Sequence, residues 1–400
     1  PISVSIILFT EIPLAAIPHK MVNGIDSYVF LAIPLFLMAG NLMNVGGITD
    51  RLFKFGRAMV GSIYGGLAHA AVMASMLFAW MTGSAVATVG GLGEIEVKAL
   101  KENGYDVPFA ASIATASSIL GPIIPPSIPM IIYAAMTEVS LGKLFLGGII
   151  PGFLMIMSLM TIIYFMSKKR NYPRDEAVPA RDKLAAAGEA VIPLLMPAIM
   201  LGGIVLGIFT PTEAAAVAAA YALVISLFWY RTVSFKDLPK IFVESMVTSA
   251  VVLFIISTTS SFSFLLTVDN AGDKIAGLVF ALTQNKYVVL FLLNIMLLFF
   301  GAVMEAGVVL ILFIPILFPL VTSIGIDPVH FGVIMCANLM IGVATPPMGV
   351  SLFVMSHISK LKMETLMRSI LPFLIPIIIC LLLLTYIEPI VMYLPNLLMK

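Results

Sequence analysis

Seven stretches of this chain, roughly 2–18, 28–46, 143–166, 190–209, 212–230, 241–268 and 369–395, stay apolar over about the 20 residues a helix needs to cross a bilayer. Lipid offers no water to backbone N–H and C=O groups, so such segments must satisfy themselves as helices. Composition agrees: 60% of residues are hydrophobic, 11% are charged and the mean hydropathy is +1.10. A soluble domain carries about 25% charged residues. A soluble enzyme, a disordered chain and a nucleic-acid binder are therefore excluded, and a net charge of +1 argues against any polyanionic partner. The lipid bilayer is the partner that composition requires. Cys336 and Cys380 lie in apolar runs and read as packing residues, without a metal-site spacing. The chain starts at Pro1 with 2–18 already apolar, so a preceding N-terminal piece is expected.

Other apolar stretches fit badly as single helices. Residues 66–100 are broken at Thr82-Gly83-Ser84 and again at Gly90-Gly91-Leu92-Gly93. Residues 105–137 contain Gly121-Pro122-Ile123-Ile124-Pro125-Pro126-Ser127-Ile128-Pro129. Residues 287–322 are interrupted at Gly301 and Glu305–Gly307, and 328–357 at Gly342-Val343-Ala344-Thr345-Pro346-Pro347-Met348-Gly349. Proline removes a helix hydrogen bond and clashes with the preceding turn, so a Pro-Pro pair unwinds a helix. Unwound backbone at membrane depth is tolerated only inside protein or against a wet cavity.

The breaks are paired. A shift of 221 residues lays 104–153 on 325–374 without a gap, with nine of 50 positions identical. Five of the nine are Gly104, Gly121, Pro125, Pro126 and Pro151, at breaks and helix ends. This spacing predicts a duplication. Lys and Arg concentrate in cytoplasmic loops. With 66–100 and 287–322 taken as re-entrant hairpins, 17 of the 22 basic residues, those of the linker Lys168–Lys183 included, fall on one side. The corresponding loops at 98–106 and 322–328 then lie on opposite sides, so the halves are expected to be inverted. The fold class is an all-α polytopic membrane protein with inverted repeats, two re-entrant hairpins and two broken helices.

Inverted repeats with discontinuous helices meeting near the midplane mark secondary transporters. A broken helix presents unpaired N–H groups at one end and unpaired carbonyls at the other. The first attract carboxylates, the second Na⁺. Four half-helix pairs could make two cation sites flanking one anion site. No Lys or Arg sits centrally in a membrane segment, so a carboxylate would be held by backbone dipoles, by Ser84, Thr88, Ser127, Asn338 and Thr345, and by bound cations. Glu305, near a hairpin tip, suits either function or tip stabilisation. Glu94 and Glu96 read as solvated or salt-bridged. Thr210-Pro211-Thr212-Glu213 reads as a capping box, His330 as structural, and Gly61…Gly65 and Gly203…Gly207 as helix-packing spacings. Residues 47–60 and 269–284 read as interfacial helices. No GxxxxGK[ST] loop and no zinc-protease motif occurs.

The motifs Gly83-Ser84-Ala85-Val86-Ala87-Thr88, Gly121–Pro129, Gly142–Gly152, Thr210–Ala214, Gly325–Gly332 and Thr345–Gly349 resemble, in order, the large membrane (M) subunit of TRAP (tripartite ATP-independent periplasmic) transporters. The resemblance implies a Na⁺-driven, elevator-type carboxylate importer of the bacterial inner membrane, akin to the ion transporter superfamily. It implies two partners, a small four-helix membrane (Q) subunit and a periplasmic substrate-binding protein. The moving domain would hold 66–137 and 287–357. The scaffold would hold 1–46, 143–268 with the cytoplasmic linker 167–189, and 369–395, with 47–60 and 269–284 as arms. One Na⁺ site would use Gly83, Ser84, Gly121 and Pro125, the other Gly301, Gly342, Thr345 and Pro346. Family substrates include C4-dicarboxylates and sialic acids; the overall likeness leans to sialic acid, with no single residue carrying it. The alternative is a stand-alone Na⁺-coupled dicarboxylate transporter or antiporter. A channel would need rings of charge or a selectivity filter, and an intramembrane enzyme a nucleophile–base pair; neither appears.

Overall fold

A computed structural model describes residues 13–174, 178–270 and 283–399, with Gly272, Lys274, Ile275 and Gly277 between; the side chains of 48–50 and 79–81 are outside it. The expected membrane helix at 2–18 and interfacial helix at 269–284 lie largely outside the described residues. Every regular element among those residues is helical, and eight segments are long and apolar enough to cross a membrane.

The chain runs through α1 (Ala16–Asn23), a 3-10 turn (Tyr28–Leu31), α2 (Ala32–Val45) and the amphipathic α3 (Ile48–Val60). The first hairpin follows as α4 (Gly66–Thr82) and α5 (Ala85–Glu102). The first broken helix is α6 (Val107–Ser118) and α7 (Ile128–Thr137), followed by the long α8 (Leu141–Lys169). Next come α9 (Ala180–Val205), α10 (Pro211–Val224) ending in a π turn (Ile225–Trp229), and α11 (Leu238–Val268). The second hairpin is α12 (Lys286–Val303) and α13 (Ala306–Ser323); the second broken helix is α14 (Pro328–Val343) and α15 (Val350–Ser359). The described chain closes with α16 (Met363–Tyr386) and α17 (Pro389–Leu398).

The 221-residue shift reaches beyond the aligned motifs. It carries the bounds of α5 onto those of α13, and the start of α6 onto the start of α14. It also brings α4, α7 and α8 to within a residue of the starts of α12, α15 and α16. Packing repeats across the halves as well. Helix α5 packs on α15 while α13 packs on α7, and α6 packs on α16 while α14 packs on α8. Each half's hairpin thus grips the other half's broken helix. The sequence grouping puts 143–268 and 369–395 with the scaffold, whereas α8 and α16 pack against α6, α14 and each other.

Several local expectations change. Gly90–Gly93 does not break α5; two of its glycines make close contacts instead, and a Cβ on Gly93 would stand 2.7 Å from Met355 Cε. The segment 369–395 splits, since Pro389 cannot donate to the Thr385 carbonyl and clashes with it, so α16 stops at Tyr386. Helix α9 starts at Ala180 through an alanine-rich turn with high helix propensity. It ends where Gly207 turns left-handed (φ 69°) and Ile208 and Phe209 N–H return to the Gly203 carbonyl. Gly203…Gly207 is therefore a helix stop, and Gly61…Gly65 lies in the turn before α4, where Gly65 has φ 73°. Glu96 is buried, not solvated: α5 is covered by α4, α6 and α15, and Ser75 Oγ donates to Glu96 Oε1 at 2.7 Å.

Thr210 and Glu213 form the expected capping box, with Thr210 N–H donating to Glu213 Oε2 at 2.7 Å. His330 Nε2 pairs with the Leu384 carbonyl at 2.8 Å, a structural tie from α14 to α16. Beside it, Asn338 Nδ2 donates to Asn294 Oδ1, and Asn294 Nδ2 donates to Thr385 Oγ1 at 2.9 Å. This buried chain joins α12, α14 and α16. Asn294→Ala leaves the buried Asn338 Nδ2 donor unpaired, which costs about 1–3 kcal/mol, while the Thr385 hydroxyl keeps its bond to the Leu381 carbonyl. The expected outcome is a lower thermal unfolding midpoint in detergent; an unchanged midpoint would show the chain to be energetically idle.

Candidate functional site

Both hairpin tips and both helix breaks border one cavity of about 450 Å³. Hairpin one contributes Gly83 through Ala87, and hairpin two contributes Glu305 through Gly307. The first break contributes Pro122, Ile128 and Pro129; the second contributes Met340, Val343 and Val350. A wall from α11 closes it with Thr248, Val251, Val252, Ile255 and Ile256, and Leu37 of α2 completes the lining.

The helix termini explain what such a cavity attracts. Ala85, Ile128, Ala306 and Val350 are the first residues of α5, α7, α13 and α15, and all four line it. The opening N–H groups of a helix lack intrahelical partners and carry the positive end of its dipole. Side chains cap three of the four termini in part. Ser84 Oγ accepts from Ala87 N–H at 3.3 Å, Ser127 Oγ from Met130 N–H at 3.3 Å, and Glu305 Oε2 from Val308 N–H at 3.1 Å. Ser84 and Glu305 stand 221 residues apart, so both hairpin tips use the same capping register. Among the described residues the lining contains no Lys or Arg, and Glu305 is its only ionisable side chain.

The residues singled out from sequence fall into three settings. Gly83 and Ser84 line the cavity. Gly83 has φ 60°, and a Cβ on it would stand 2.7 Å from the Pro126 carbonyl oxygen, so the first tip sits directly on the first break. Thr88, Gly121, Pro125 and Ser127 form a buried layer behind it. There Thr88 Oγ1 donates to the Ser84 carbonyl at 2.8 Å, and Ser127 Oγ donates to the Pro122 carbonyl. Thr88 N–H also donates to the Ser84 carbonyl, which occupies both its lone pairs; a cation would meet the Ser84 hydroxyl instead.

In the second half, Gly301 and Gly342 meet: a Cβ on Gly342 would lie 2.6 Å from the Gly301 carbonyl carbon. Asn338 lies outside the cavity lining, in the packed chain with Asn294. Thr345 caps the end of α14, donating Oγ1 to the Ile341 carbonyl at 2.6 Å and N–H to the Gly342 carbonyl at 2.8 Å. Pro346 and Pro347 follow it, joined like Pro125 and Pro126 by a cis peptide bond. The two breaks differ in exposure. Residues 121–127 are buried, whereas Pro347 and Met348 are exposed.

Sequence reasoning missed the α11 wall. A signal was present in the hydroxyls of Ser245, Thr248 and Ser249, grouped on one turn of a long membrane helix; Ser245 Oγ accepts from Asn41 Nδ2 at 2.8 Å. Among the described residues no group of three or more His, Cys, Asp or Glu could hold a metal ion. A cation here would meet hydroxyl and carbonyl oxygens, the ligands that hard cations prefer.

Residues 2–390 match the family described as tripartite ATP-independent periplasmic transporter, DctM component. The chain is 41% identical over 379 residues to the sialic acid TRAP transporter large permease protein SiaM of Vibrio cholerae, covering 95% of this chain and 89% of that one. It is 40% identical over 394 residues to the C4-dicarboxylate TRAP transporter large permease protein DctM of Pseudomonas aeruginosa, covering 98% and 92%. The isethionate TRAP transporter permease protein DctMQ of Oleidesulfovibrio alaskensis is 39% identical over 394 residues, covering 97% of this chain and 61% of that longer protein. The solved YdaH transporter of Alcanivorax borkumensis shares the fold, with a TM-score of 0.64 at 16% identity, covering 94% of this chain and 87% of that one. The protein is thus a multi-pass transporter subunit of the inner membrane, not an enzyme. With the family match spanning almost all of its length and close relatives on both sides of the substrate divide, the chain belongs to the DctM family, the large membrane subunits of tripartite ATP-independent periplasmic transporters.

Proposed function

We propose that this subunit imports a small organic acid together with Na⁺, the acid being delivered by a periplasmic binding protein and the pathway completed by a small membrane subunit. The observation that carries the reading is the convergence of four helix N-termini on one cavity that no Lys or Arg among the described residues lines. A carboxylate there is held by partial positive charge and N–H donors, and bound cations would supply the rest. Na⁺ is here a co-substrate. Gly83, Ser84, Gly121 and Pro125 surround the first proposed ion position, and Gly301, Gly342, Thr345 and Pro346 the second. Relatives named for sialic acid, C4-dicarboxylate and isethionate support an acid substrate. Sialic acid is the substrate to test first, since the large permease SiaM is 41% identical.

In this reading the hairpins and broken helices move as one body past α2, α10 and α11, in an elevator motion between inverted halves. Helices α8 and α16 travel with the broken helices they pack against. The different exposure of the two breaks is what a carrier open to one side requires.

The decisive experiment is uptake of labelled sialic acid into proteoliposomes, with and without an inward Na⁺ gradient, each partner being left out in turn. Uptake that needs all three components and Na⁺ is the expected result; uptake by this chain alone would favour a stand-alone carrier. Gly342→Ala drives a methyl group into the Gly301 backbone, an overpacking cost of about 1–3 kcal/mol. Uptake should fall while the protein still purifies as a folded species, and undiminished uptake would remove this contact from the mechanism. A cysteine at Met348 should react with a water-soluble thiol reagent and one at Ile123 should not, Cys336 and Cys380 being buried. Equal reactivity would contradict the asymmetry of the two breaks.

A further inference from the structure

Away from the transport cavity, a second cavity of about 420 Å³ lies between the start of α6, the end of α8 and the start of α16. Two guanidinium groups stand in its wall, Arg170 and Arg368. Arg170 is locked in place. Its Nη1 donates to Asp106 Oδ2 at 3.1 Å and to the Tyr172 hydroxyl at 3.2 Å, and the guanidinium lies 5.4 Å from the Phe109 ring centroid. Tyr172 in turn donates to Asp106 Oδ2 at 2.6 Å and stacks on Tyr105 and Phe109, with ring centroids 4.5 and 4.9 Å away. Burial, and then the bond to Asp106, push the Tyr172 phenol above its ordinary range, so it stays a donor. Arg368 is exposed and has no hydrogen bond or ion pair among the described residues. Among the described residues its wall holds one carboxylate against two guanidiniums.

The two halves differ at this point. Asp327, the counterpart of Asp106, caps its own helix by accepting from Val329 and His330 N–H at 2.7 and 3.1 Å. Asp106 makes no such side-chain cap and is turned to Arg170 and Tyr172 instead. The first-half counterpart of Arg368 is Gly147. The basic pocket is thus a feature of one end of the molecule, not of the repeat. Along α16, Leu371, Ile375 and Ile379 continue the face of Arg368 at helical spacing, and each is at least 50% exposed. A cationic pocket at the head of an exposed apolar stripe matches a phosphate group that carries acyl chains.

We propose that this cavity binds the phosphate of an anionic phospholipid, held by Arg368 and Arg170, with an acyl chain along Leu371, Ile375 and Ile379. Arginine forks match phosphate oxygens in paired, charge-assisted bonds. Arg170 is prepared in advance by Asp106 and Phe109, and Arg368 supplies the unpaired charge. A free phosphate ester shares the headgroup chemistry but gains nothing from the apolar stripe.

The test follows thermal unfolding of the full chain in detergent during titration with short-chain phosphatidylglycerol, phosphatidylcholine of equal chain length, and glycerol phosphate. Phosphatidylglycerol should raise the midpoint, while the other two leave it in place. Arg368→Gln should weaken the apparent phosphatidylglycerol affinity about tenfold, the size expected for one charge-assisted contact. Arg368→Lys, which keeps the charge, should recover part of it, and it serves as the comparison should the glutamine variant be unstable unliganded. Equal responses to the two lipids, or a phosphatidylglycerol response unaltered in both variants, would overturn the site. Glycerol phosphate matching the lipid would assign the pocket to a free anion and overturn the lipid reading.

Discussion

Everything in this molecule depends on where backbone polar groups can be left without a helix around them. In hydrocarbon each unpaired N–H or C=O costs several kcal/mol, so a break can persist only against protein or in a cavity. The chain contains two proline breaks and two hairpin turns in apolar sequence, and all four meet around one space. Each break is covered by something specific. The first lies under Gly83, where a side chain would strike the Pro126 carbonyl. The second hairpin reaches α14 through the Gly301–Gly342 approach. Glycine is needed at these positions because backbone meets backbone.

The same condition gives the cavity its chemistry. A membrane site for an anion could use a buried arginine, but a charge at the bilayer centre is expensive to hold. Helix N-termini supply positive potential with no ionised group to desolvate, and capping by Ser84, Ser127 and Glu305 leaves the opening N–H groups of those helices without side-chain partners. Glu305 accepts from Val308 N–H of its own helix, so the acid steadies a hairpin tip. The Asn338–Asn294–Thr385 chain holds the second half's hairpin, broken helix and α16 in register.

Much of the fold was legible from residue types alone. Apolar length gave the spanning helices, proline and glycine gave the breaks, and the 221-residue shift pairs segments whose helix bounds coincide. The site was legible in part. Gly83 and Ser84 line the cavity, whereas Asn338 lies outside the lining beside Asn294, and the α11 wall went unnoticed. Break residues announce themselves because proline chemistry is local. A wall residue such as Val252 or Ile255 has nothing local to distinguish it from a lipid-facing one.

The sequence by itself determined that this is a multi-pass helical protein, where its helices break, and to which family it belongs. These follow from local hydrogen-bond chemistry and from motif order, which need no knowledge of neighbours. Tertiary structure decided which glycines are turns and which are contacts, as at Gly90–Gly93, where α5 runs straight through to make room for Met355. It decided that Glu96 is buried, that Asp106 serves Arg170 whereas Asp327 caps its helix, and that the two breaks differ in exposure. Most of those outcomes depend on which segment lies alongside, and partners from other helices, such as Ser75 for Glu96 or Arg170 for Asp106, leave no mark on the local pattern.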